Sequence, residues 1–166
     1  MKRIMIIGCA GAGKTTLASE LGKKLDLPLH HLDVIFWKPG WVKGDKEEFY
    51  EKLKKIAEKD KWLTDGNFID SIPILAERAD TIIYLDIPIP VCFFGALRRN
   101  FSKNKRADMA DGCEENLDIK FFWWILTFRK HTAPRIELLL KEYKEKNIVI
   151  LKSRKAVKDF LHNIKL

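Results

Sequence analysis

Eight residues, Gly8-Cys9-Ala10-Gly11-Ala12-Gly13-Lys14-Thr15, fit the pattern G-x-x-x-x-G-K-[ST] at every fixed position. The chemistry explains the spacing. Gly8, Gly11 and Gly13 let the backbone curl so that successive N–H groups face phosphate oxygens, beside the positive end of a helix dipole. Lys14 brings a mobile charge to the terminal phosphates, and Thr15 offers a hydroxyl to Mg²⁺. With Thr16 completing the turn, residues Gly8 to Thr16 are the expected cradle for a nucleoside triphosphate, ATP above all.

Three aspartates close apolar runs and face the same chemistry. Asp33 follows His30-His31-Leu32 and precedes Phe36, Trp37 and Trp41. It is the candidate to orient an acceptor hydroxyl or take its proton. Asp65 ends Trp62-Leu63-Thr64 and is followed by Gly66 and Asn67, a glycine that would admit a ligand closely and an amide that could contact it. Asp65 is the first candidate for the Mg²⁺ carboxylate. Asp86, after Ile82-Ile83-Tyr84-Leu85, is the second. His30 and His31 are neighbours on a strand and point to opposite faces, so they do not suit one metal ion. Both read as structural, with His31 a weaker candidate for orienting substrate.

Arginines gather late in the chain. Arg98 and Arg99 end a helical run, Arg106 lies in a polar stretch at 101–117, and Arg129 and Arg135 follow. Phosphoryl transfer spreads negative charge over the migrating group, and guanidinium forks stabilise it without deprotonating. Grouped around a polar insert that contains Gly112, these residues suit a lid at about 100–117.

Such groups need elements to hold them. Runs at 2–7, 29–32, 62–64, 81–85 and 148–151 read as strands. Stretches at 15–25, 46–59, 91–99 and 119–146 read as helices, the last broken near Pro134, and a short amphipathic helix ends the chain. Strands alternating with helices imply an α/β fold with a parallel sheet covered on both faces. No repeat or linker divides the 166 residues, so one domain is expected, with an acceptor region at about 33–60.

Bulk composition agrees. The chain is 46% hydrophobic and 33% charged, ordinary for a globular protein. Its densest apolar stretch, 121–126, is far short of the roughly 20 residues that span a bilayer. With no signal-peptide layout at the start, a cytoplasmic location is expected, without membrane association. Three scattered cysteines, Cys9, Cys92 and Cys113, suggest neither a disulfide framework nor a zinc site, although Cys9 inside the loop is open to oxidation chemistry. A net charge of +8 suits phosphorylated ligands; nucleic acid is a less favoured partner, since no helix-turn-helix or RNA-binding signature is present. A monomer and a homodimer are equally compatible with the sequence.

Over essentially its whole length the chain resembles the adenylate kinase and shikimate kinase group of P-loop kinases. The resemblance rests on the loop at 8–15, Asp65-Gly66, Leu85-Asp86-Ile87-Pro88 with paired arginines after it, and Arg129 and Arg135. More narrowly, His-Leu-Asp-x-x-x-Trp-x-Pro-Gly-Trp with Trp-x-x-Asp-Gly-Asn is similar to the DNA topology modulation proteins, which are adenylate kinase-like. The resemblance implies a three-layer P-loop NTPase fold with sheet order 2-3-1-4-5 and a lid after strand four. It implies that Asp65 holds magnesium through water and that Arg98 or Arg99 and Arg129 contact the transferring phosphates. Ser153 and Arg154 stand where that group packs adenine. The departure is on the acceptor side. Adenylate kinases grip the acceptor phosphate with arginines after strand two, whereas this chain has none between Arg3 and Arg78. Asp33 with Phe36, Trp37, Trp41 and Phe68 suits a neutral or weakly charged acceptor bearing a hydroxyl, such as a nucleoside. A nucleoside monophosphate kinase and a nucleic-acid-associated ATPase are the alternatives.

Overall fold

The computed structural model describes residues 1–100, 109–113 and 118–164. Five strands form one parallel sheet: β1 Arg3–Gly8, β2 Leu29–His31, β3 Trp62–Asp65, β4 Thr81–Leu85 and β5 Asn147–Leu151. Across the sheet they run β2-β3-β1-β4-β5, the order implied by the resemblance. Ile4, Met5, Ile6 and Ile7 on β1 are all buried, and so are all residues of β3 and β4. A strand buried on both faces needs helices on both, which is why β1 and β4 are almost continuously apolar rather than alternating, while β3 ends in buried Thr64 and Asp65.

The helices are α1 Lys14–Leu25, α2 Leu32–Phe36, α3 Lys46–Ala57, α4 Ile72–Ala76, α5 Ile89–Asn100, α6 Ile119–His131, α7 Ala133–Glu142 and α8 Arg154–Asn163. Leu17 and Leu21 turn the apolar stripe of α1 into the core, and Lys23 and Lys24 suit its carboxyl-terminal dipole. The break expected near Pro134 falls at Thr132, with Pro134 in the first turn of α7, where its missing N–H costs no helical bond. Among the described residues, no helix is long and apolar enough to cross a membrane.

Two features differ from the sequence expectation. Strand β2 stops at His31, and 32–36 closes into α2, so Asp33 sits in the first turn of a short helix rather than at a strand end. After it, Trp37–Lys38 and Val42–Lys43 pair as a small antiparallel hairpin around Pro39–Trp41. Each segment is too short to carry a period, so periodicity could not report it. The expected lid lies largely outside the described residues, which include only 109–113 of its polar part. That piece is docked on the hairpin: Gly40 N–H donates to the Gly112 carbonyl at 2.9 Å, and the Cys113 thiol to the Lys38 carbonyl at 3.3 Å. Lys103, Lys105 and Arg106 lie outside the described residues.

Candidate active site

The loop between β1 and α1 holds its shape through glycine. Gly8, Gly11 and Gly13 have φ of 147°, 73° and 98°, in the region L side chains rarely adopt. Gly11 also lies backbone to backbone against α5, where a Cβ would run into the Cys92 carbonyl and approach Ala96 N at 2.7 Å. Gly95 on α5 returns the contact toward the Gly11 carbonyl. Cys92, Gly95 and Ala96, small residues at i, i+3 and i+4, are therefore part of the loop's support. Sequence reading missed them, although that small-residue spacing was the available signal.

Gly13 caps α1 and, having no side chain, gives the first turn no side-chain cap bond. The Lys14 ammonium reaches back to the Cys9 carbonyl at 3.0 Å. Arg154, from the first turn of α8, donates to the Gly11 carbonyl at 2.8 Å and passes beside Gly13. Its neighbour Ser153 is the α8 cap, accepting from Ala156 N–H at 3.0 Å.

Asp65 is nearly buried and lies directly beside this loop. One carboxylate oxygen accepts from the Thr15 hydroxyl at 2.9 Å, and the other meets His31 Nδ1 at 2.6 Å. The sheet register explains the arrangement, because Asp65 pairs with Ile6 on one side and with His31 on the other. His30 pairs with Thr64 and leaves by the opposite face. Burial pushes the His30 pKa down, and the charges of Lys59 and His31 act in the same direction. Asp86 is engaged elsewhere, in an ion pair with Arg129 at 2.9 Å.

Cys9 and Cys92 are both buried, and the Cys92 thiol donates to the Ile87 carbonyl at 3.6 Å. Interaction with Cys9 lowers the pKa of Cys92 against the effect of burial, and the charges of Lys14, Arg154 and Arg129 act in the same lowering direction. Interaction with Cys92, with burial, raises Cys9. The other arginines are spread more widely. Arg98 is exposed, Arg99 lies over the Phe121 ring at 5.7 Å, and Arg135 pairs with exposed Asp70 at 2.9 Å.

Around α2 and the hairpin the aromatics separate into two groups. Phe36 is buried, with its ring centroid about 5 Å from those of Phe49 and Phe68. Trp37 is half-buried and meets Trp41 edge-on at 5.7 Å, while Trp41 is exposed and has a φ of 59°. A cavity of about 340 Å³ opens between α2, the hairpin, α3 and 110–111; Phe36, Trp37 and Phe49 line it together with Lys38, Glu48 and Lys52. Gly66 packs under α2, where a Cβ would lie 2.7 Å from that of Leu32, so its nearest neighbour is protein. The side-chain N and O of Asn67 are buried without hydrogen-bond partners.

Solved structures supply the comparison. Shikimate kinase from Bacteroides thetaiotaomicron superposes with a TM-score of 0.59 at 22% identity, over 97% of this chain and 94% of that one. Shikimate kinase from Acinetobacter baumannii, solved in complex with shikimate, gives 0.62 at 16% identity over 98% and 89%. Deoxyadenosine kinase from M. mycoides with bound dCTP gives 0.52 at 17% identity over 96% of each chain. The protein has the P-loop kinase fold. No family model and no curated protein matches the chain. Within the P-loop kinase fold, Thr15, Asp65 and Lys14 occupy the edge of the sheet at the carboxyl ends of β1 and β3, where open α/β sheets bind ligands.

Proposed function

We propose that the protein transfers the γ-phosphoryl group of ATP to a hydroxyl of a small, neutral or weakly charged acceptor, a nucleoside or a related metabolite. The contact that carries this reading is the 2.9 Å hydrogen bond between the Thr15 hydroxyl and the buried Asp65 carboxylate. A hydroxyl beside a carboxylate at a phosphate loop is an all-oxygen donor set of the kind Mg²⁺ takes. Thr15 and Asp65 would hold that ion, which when bound neutralises charge building on the phosphates. Lys14 and the first-turn N–H groups of α1 hold the triphosphate, and Arg154 keeps the loop in shape. Arg129 is the arginine best supported to meet the transferring group, because its 2.9 Å ion pair with Asp86 holds it at the carboxyl end of β4. Arg98, Arg99 and Arg135 are weaker members of that set.

The reaction is a displacement at the γ-phosphorus. The acceptor oxygen forms a bond to phosphorus, the bond to the β–γ bridging oxygen breaks, ADP leaves, and the acceptor proton passes to Asp33. Phe36 and Trp37, which line the cavity, supply apolar walls together with Trp41, while Gly66 is covered by Leu32 and is not part of them. The absence of arginine between Arg3 and Arg78 argues against an acceptor that already bears a phosphate.

A coupled ADP-release screen over nucleosides, nucleoside monophosphates, sugars and aromatic metabolites tests the reading. At least one phosphate-free hydroxyl compound is expected to stimulate ADP release, and Asp33→Asn to lower kcat about 10²- to 10⁴-fold with ATP affinity unchanged. Stimulation by monophosphates alone would identify a nucleoside monophosphate kinase instead. Turnover that survives Asp33→Asn would remove that residue from the chemistry.

A further inference from the structure

We infer that His31 is a positioning residue for the metal-binding carboxylate, holding Asp65 through its Nδ1 so that Asp65 presents its other oxygen to Thr15 and the cation. The inference rests on the proposed role of Thr15 and Asp65.

The two strands dictate the pairing. His31 ends β2 directly opposite Asp65 at the end of β3, so both side chains leave the same face of the sheet. The contact is short, 2.6 Å, as expected for a bond with an ionised acceptor. An ionised carboxylate can only accept, so Nδ1 carries the proton. Asp65 is 4% exposed and His31 13%, which makes the bond a shielded one. Thr15 takes the second oxygen, giving a continuous chain from β2 through β3 to the first turn of α1. Each carboxylate oxygen has about two lone-pair sites, so each keeps one further acceptor site after these bonds. His31 thereby fixes the rotation of a group whose lone-pair directions decide how a cation or its water is met. A neighbour that merely filled space would fix nothing.

The chemistry needed at this position is one N–H donor, and that sets the test. His31→Asn keeps an amide N–H near the position of Nδ1, whereas His31→Leu keeps bulk and loses the donor. The probe is Mn²⁺, titrated by electron paramagnetic resonance into protein saturated with β,γ-imido-ATP, with nucleotide affinity measured separately in EDTA. His31→Leu is expected to weaken Mn²⁺ about 10- to 100-fold, as loss of an outer hydrogen-bond partner does at metal sites, with metal-free nucleotide affinity unchanged. His31→Asn should restore most of that loss. Unchanged Mn²⁺ binding in His31→Leu, or equal loss in both variants, overturns the positioning role while leaving Thr15 and Asp65 in place. Failure of the unmodified protein to bind Mn²⁺ with the nucleotide would overturn the metal reading itself, and this inference with it. Should His31→Leu not fold, ¹⁵N spectra of the unmodified imidazole decide: a proton on Nδ1 supports the role, and a bare Nδ1 ends it.

Discussion

Gly11 and Gly40 have nearly the same backbone, with φ of 73° and 74°, and almost nothing else in common. Gly11 is pressed against α5, where a Cβ would strike the Cys92 carbonyl; Gly40 has no atom within 4 Å of where its Cβ would be. The contrast holds for the regions around them. The phosphate loop is enclosed by β1, α1, α5 and Arg154, and its geometry is set by backbone contacts that tolerate no side chain. The proposed acceptor side is a short helix and a hairpin held by aromatic rings, with Trp41 and Val42 exposed. Donor recognition demands one fixed shape because every triphosphate is alike, whereas acceptor recognition is where enzymes of one fold diverge.

The sharpest way to break the comparison is to give both glycines a methyl. Gly11→Ala must displace either the loop or α5, and binding of a fluorescent ATP analogue is expected to fall at least about 100-fold, beyond the roughly 1–2 kcal/mol of left-handed backbone cost alone. Gly40→Ala meets only that backbone cost and should leave nucleotide affinity unchanged. Equal effects on nucleotide affinity would mean that the crowding at Gly11 is not what shapes the loop.

A second contrast lies within the acceptor side. Phe36→Ala removes a buried ring from contact with Phe49 and Phe68, and urea unfolding should show a loss of about 3–5 kcal/mol. Trp41→Ala, at an exposed site, should cost no more than about 1 kcal/mol while raising the KM for the acceptor if that ring is a substrate wall. The opposite ranking would show that the hairpin, not the Phe36 cluster, anchors this region.

These regions also differ in how much the sequence discloses. Gly8 to Thr15 was legible because phosphate geometry fixes residue type at each place, and β1 and β4 were legible because burial on both faces makes them almost continuously apolar. Asp65 was preferred to Asp86 on position alone, and the register then placed it against Thr15 while Asp86 took Arg129. The His31 contact was hidden, since it depends on two strands 34 residues apart ending level with each other. The start of α2 was hidden for another reason: five residues are too few to show a helical period, so Asp33 read as a strand end. The docking of Gly112 on Gly40 joins segments that carry no apolar pattern at all.

Arg154 offers a smaller and more graded test. Its bond to the Gly11 carbonyl is exposed, so Arg154→Ala is expected to weaken ATP by about 1 kcal/mol, roughly fivefold. Arg154→Lys should recover little, because a single ammonium cannot reproduce a guanidinium that passes between Gly13 and Gly95. A lysine variant with full affinity would reduce Arg154 to a point charge.

The smallest expected effect separates the two histidines of β2. His30 lies on the face away from Asp65, and burial, reinforced by Lys59 and His31, lowers its pKa in the folded protein. The sign follows from linkage. Below the unfolded value of about 6.5 the unfolded chain takes up the proton first, so His30 contributes stability above that pH and loses it as pH falls toward the lowered folded pKa. Urea midpoints from about pH 7.5 to about pH 5 should therefore fall less steeply in His30→Gln than in the unmodified protein. Parallel curves would mean that His30 is solvated enough to titrate alike in both states, and the face of β2 turned from the phosphate loop would be looser than its packing suggests.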